Sequence, residues 1–77
     1  MEIGLPKYHI NVFYNEEDAC WVADAPDLKY CSAHGGTAAE AVAELQVAME
    51  LYIESCVEHG DPIPEARYKP LVYQLAG

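Results

Sequence analysis

Basic side chains are scarce in this sequence: 4 Lys and Arg stand against 13 Asp and Glu, a formal charge of −9 over 77 residues. So negative a surface repels phosphate backbones and anionic lipid headgroups at long range, and neither direct nucleic-acid binding nor membrane binding is expected. Long hydrophobic runs are missing as well. Nowhere do about 18 apolar residues stand together, and Met1-Glu2-Ile3-Gly4-Leu5-Pro6-Lys7 has no basic opening followed by an apolar run, so a soluble, unexported protein is expected. Cysteines number 3, Cys20, Cys31 and Cys56, an odd and widely spaced set that argues against a disulfide scaffold and for a reducing cytoplasm. Glycine-rich phosphate loops, internal repeats and low-complexity segments are all absent.

What is present is apolar enough to fold. Hydrophobic residues make up 52% of the chain, too many for a disordered acidic tail, and the length suits one domain over 1–77 with its core at about 8–75. A chain this short hides only roughly 60% of the surface its unfolded form exposes, so a dimer or tetramer that covers the remainder is expected. The negative field favours a basic protein as any other partner, through electrostatic steering.

Tyr8, Ile10, Val12 and Tyr14 alternate with His9, Asn11 and Phe13, which predicts a half-buried strand over Tyr8–Tyr14. Asn15-Glu16-Glu17-Asp18 is a turn, and Ala19–Ala23 returns as the second strand of an antiparallel hairpin. Asp24-Ala25-Pro26-Asp27 interrupts it, since Pro26 has no amide hydrogen to donate, and a short third strand follows over about Lys29–His34. Thr37-Ala38-Ala39-Glu40 is a capping box that opens a helix over Ala38–His59, and Gly60 closes it as a left-handed cap. Along that helix Ala41, Leu45, Ala48, Tyr52 and Cys56, flanked by Val42, Met49 and Ile53, form the buried stripe, with Glu40, Glu44, Glu50, Glu54 and Glu58 opposite. A proline-stiffened connector over Asp61–Pro70 leads to a last strand, Leu71–Leu75. The order is β-β-β-α-β: an α+β fold, a small antiparallel sheet with one long helix packed on one face.

Three pieces of this outline, Pro26-Asp27-Leu28-Lys29-Tyr30-Cys31, Gly36-Thr37-Ala38-Ala39-Glu40-Ala41 and Gly60-Asp61-Pro62-Ile63-Pro64, stand in the order and spacing of the HicB-like antitoxin domain. The chain resembles that family from about Tyr8 to Pro70. The resemblance implies a degraded RNase H-like fold and the activity of an antitoxin, which neutralises a small basic HicA-type toxin, an mRNA interferase with a catalytic histidine, by masking its RNA-facing surface. Lys29-Tyr30 replaces the Pro-Gly of the family pattern, so a looser turn is expected there. Many family members continue into a DNA-binding domain, whereas this sequence stops at Gly77, so autoregulation by direct DNA binding is not expected.

Candidate contacts with a basic partner are Trp21, Asp24 and Asp27, with Asp18 nearby, because an aromatic anchor ringed by carboxylates suits an arginine-rich surface. Glu50 and Glu54 on the helix are further candidates, able to mimic a line of phosphates. Against these stand plainer roles: an indole in mid-strand usually belongs to the core, Asp27 is a natural turn residue, and glutamates on a helix keep a protein in solution. Tyr68, Leu71, Val72 and Tyr73 are the candidate oligomer contacts. Cys31 and His34 are half a zinc motif without a second half, and neither a metal, a cofactor nor a catalytic residue is expected. The competing function is a stand-alone oligomeric regulatory or scaffold module with no toxin; an enzyme built on Cys31 and His34 is a distant third.

Overall fold

A computed structural model describes residues 7–29 and 31–69. Three strands, β1 (Asn11–Asn15), β2 (Cys20–Asp24) and β3 (Ser32–Gly35), form an antiparallel meander in the order β1-β2-β3, and one helix, α1 (Ala38–His59), follows. The architecture is α+β, as the alternation and the capping signals predict. The predicted last strand, Leu71–Leu75, lies outside the described residues.

The register explains which side of the sheet is covered. Val12 pairs with Ala23 and Ala23 with Ala33, while Tyr14 pairs with Trp21 and Trp21 with Gly35, so these rows share one face. That face meets α1: Ala23, Ala25, Leu28 and Cys31 are buried together with Ala41, Leu45 and Met49, and Tyr8 closes the same cluster. Trp21, Ala33, Tyr52 and Ile53 pack around its margin. Asn11, Phe13, Cys20, Val22, Asp24, Ser32 and His34 fall on the opposite face.

Both ends of α1 follow from local chemistry. Thr37 is extended, and its Oγ1 accepts the Glu40 amide at 3.1 Å, satisfying one of the orphan donors of the first turn. At the other end Gly60 takes φ 71°; its amide reaches the Val57 carbonyl at 3.3 Å while the Asp61 amide reaches that of Cys56 at 2.8 Å, the paired bonds of a Schellman cap. Gly35 lets the first turn approach the sheet: a Cβ there would sit 2.5 Å from the Ala41 nitrogen and 2.7 Å from the Glu40 Cβ.

Strand boundaries differ from the sequence reading: β1 starts at Asn11, three residues after Tyr8, and β1, β2 and β3 each end one residue later than expected, at Asn15, Asp24 and Gly35. Ala19 belongs to the turn, at φ 50°, where its amide reaches the Glu16 carbonyl and the Asn15 side chain accepts the Glu17 amide; β2 therefore starts at Cys20. β3 starts at Ser32, three residues later than expected from Lys29. The preceding loop bonds to itself, Leu28 to Ala25 at 3.0 Å, Cys31 to Leu28 at 3.3 Å and Ala25 to Cys31 at 3.1 Å, which folds Leu28 into the core.

Candidate functional site

The described surface offers two regions of carboxylates, one at the sheet and one on α1. At the sheet, the structure does not gather Trp21, Asp24 and Asp27 into one patch. Trp21 lies on the helix side, half-buried, with its ring edge-on to Tyr14 at 5.5 Å between centroids. Asp24, three residues on in the same strand, faces the other way. Asp18 sits in the hairpin turn, where its carboxylate accepts a 3.3 Å bond from the Asn15 amide group.

Asp27 has an internal partner. Both of its carboxylate oxygens accept the Tyr68 amide, at 3.1 and 3.2 Å, across 41 residues of chain. The same stretch is fastened twice more: the Tyr8 hydroxyl donates to the Pro64 carbonyl at 2.5 Å, and the Tyr68 ring lies 4.7 Å from that of His9. Burial, and behind it the Asp27 carboxylate, pushes the Tyr8 hydroxyl above its ordinary 10.0, which keeps it a donor. Tyr68, expected at an oligomer contact, is thus partly committed to holding the connector; Leu71, Val72 and Tyr73 lie outside the described residues.

On α1 the arrangement is simpler. Glu40, Glu44, Glu50, Glu54 and Glu58 are all exposed, and the helix carries no Lys or Arg. Glu50 and Glu54 stand one turn apart there. Three large apolar side chains share this wet side, Val47 at 54%, Leu51 at 60% and Val57 at 66% exposure. The sequence reading, which sorted the helix into one apolar and one acidic side, passes over them; their signal was the leftover of the buried stripe.

Cys31 is buried toward the helix, where desolvation pushes its thiol up from 9.0, while exposed His34 lies on the opposite face. Among the described residues no three His, Cys, Asp or Glu side chains come close enough to hold a metal ion, and no helix is long and apolar enough to cross a membrane. A shallow cavity of about 290 Å³ lies over the loop between β2 and β3, floored by Leu28 and Cys31 and edged by Asp24 and Lys29.

Comparison with known proteins gives a family and no activity. No protein-family model matches the chain, and no solved structure matches it significantly. The UPF0150 protein ssr1765 of Synechocystis sp. is 37% identical over 59 residues, covering 75% of each chain. The UPF0150 protein Ta0767 of Thermoplasma acidophilum is 34% identical over 58 residues, covering 75% of this chain and 83% of its own. With likeness at that level across three quarters of its length, and most of the relative's length covered in both cases, the chain belongs to the UPF0150 family.

Proposed function

We propose that this chain is an antitoxin-type binding protein that neutralises a small basic HicA-type mRNA interferase by covering its RNA-binding and catalytic surface. The observation that carries this reading is the outer face of α1, where five exposed glutamates stand on a helix that has no Lys or Arg. The HicB-like order of the Pro26–Cys31, Gly36–Ala41 and Gly60–Pro64 segments supports it, and all three lie at turns and helix ends of the β-β-β-α frame.

The mechanism is occlusion and charge. A ribonuclease that grips RNA presents cations toward phosphates, and a carboxylate row on a rigid helix satisfies those cations while its bulk blocks the cleft. Long-range attraction between a chain of charge −9 and a basic toxin raises the association rate, and salt lowers it. No bond is made or broken by the antitoxin.

The test is an RNA cleavage assay with a HicA-type toxin. Cleavage is expected to stop near one equivalent of this protein and to recover at high ionic strength. Cleavage that continues at saturating excess would sink the reading.

A further inference from the structure

On the exposed side of α1, Glu40, Glu44, Val47, Leu51, Glu54 and Glu58 follow one another at intervals of 4, 3, 4, 3 and 4 residues, and every one of them is exposed. That is the spacing of a coiled-coil seam, which keeps six side chains in line along one face of a helix. The core does not use this line; it uses Ala41, Leu45, Met49 and Cys56 on the other side. The seam is apolar in its centre, where Val47 and Leu51 are 54% and 60% exposed, and acidic at both ends. It runs about 27 Å at 1.5 Å per residue.

Charge decides what can lie on it. A second copy laid antiparallel would set Glu40 and Glu44 against the partner's Glu58 and the partner's Glu54, and a parallel copy would set each glutamate against itself. Either pairing sums repulsion where affinity is needed. We propose that the seam docks a helix of another protein with the opposite pattern, two apolar residues in the middle and Lys or Arg toward both ends. Because the pattern reads the same in both directions, either orientation of the incoming helix satisfies it. The central pair supplies desolvated contact and the glutamate ends supply a polar rim that selects for cations. This deepens the proposed function, resting on the reading of the chain as a binder of basic protein, and names the element of the partner that is gripped.

The probe is a synthetic helical peptide of about 20 residues, with leucines at the two central seam positions and lysines at the outer ones, titrated calorimetrically into the full chain. One-to-one binding is expected, weakened at least tenfold by Leu51→Ser, and at least tenfold weaker again for a peptide of identical composition with its leucines moved to the ends. Circular dichroism of the variant checks that the helix is intact; Val47→Ser serves if Leu51→Ser misfolds. Equal binding of the rearranged peptide, unchanged affinity of the folded variants, or absence of binding overturns the proposal. So does a chain dimer in sedimentation that Leu51→Ser dissolves, which would give the seam to a second copy. Peptide binding without protection of RNA would instead defeat the toxin reading and leave the seam standing.

Discussion

The two long faces of α1 are built from the same helix with opposite logic. The inner face places Ala41, Leu45 and Met49 at small-to-medium volume in one cluster with Ala23, Ala25, Leu28 and Cys31, Leu45 is fully buried, and Cys56 is buried further along the same face. The outer face places glutamates four apart, where like charges cost a few tenths of a kcal/mol per pair, and leaves Val47 and Leu51 in water. One face is optimised for folding and the other carries a small, unrelieved cost. That cost falls largely on the line that the proposed docking helix would cover.

The sharpest way to separate the faces is a pair of leucines six residues apart. Leu45→Ala should destabilise the chain by about 3 kcal/mol, transfer and cavity terms together. Leu51→Ala should stay within about 0.5 kcal/mol, read by urea unfolding. Comparable losses at both positions would mean that the outer face is not free. Next in size is Gly35→Ala. Its Cβ meets the Ala41 nitrogen at 2.5 Å, backbone that cannot rotate away, so α1 must lift from β3 at a cost of about 2 kcal/mol.

Alkali should act on the inner side through two groups. The Cys31 thiol and the Tyr8 hydroxyl are neutral when protonated, and burial raises both above their ordinary values of 9.0 and 10.0. The folded chain therefore binds these protons more tightly than the unfolded one. Their contribution to stability is whole below the thiol's ordinary value and is lost as pH rises through the raised folded values. Melting temperatures should fall progressively above about pH 9, equally for the wild type and Leu51→Ser, and less steeply for Cys31→Ala. The smallest effect belongs to the outer face: Glu54→Gln removes two like-charge neighbours and should stabilise the helix by a few tenths of a kcal/mol while weakening peptide binding. Loss of stability there would show the glutamate to be part of the fold.

Much of this was legible in the residues. Thr37, Glu40 and Gly60 mark both ends of α1 because capping is local chemistry, and the alternation assigns the faces of Val12, Phe13 and Tyr14 correctly, although β1 starts at Asn11 and not at Tyr8. What escaped depended on contacts between distant segments or on backbone geometry. The end of the loop before β3, from Lys29 on, reads as strand because the loop's bonds among Ala25, Leu28 and Cys31 carry no compositional mark. Ala19 looked like strand because nothing in an alanine announces a positive φ. Asp27 read as a surface carboxylate, and only the fold brings Tyr68 to it. The separation of Trp21 from Asp24 was available from strand parity, and the outer seam was available from spacing once the buried stripe was subtracted.

The most direct test is protection of RNA from a HicA-type toxin by two equally stable proteins, the wild type and a Glu44→Gln, Leu51→Ser, Glu54→Gln variant. If the outer face of α1 is the gripping surface, the variant should need at least tenfold more protein for the same protection. Equal protection by both would contradict the account and send the search for the contact to the sheet.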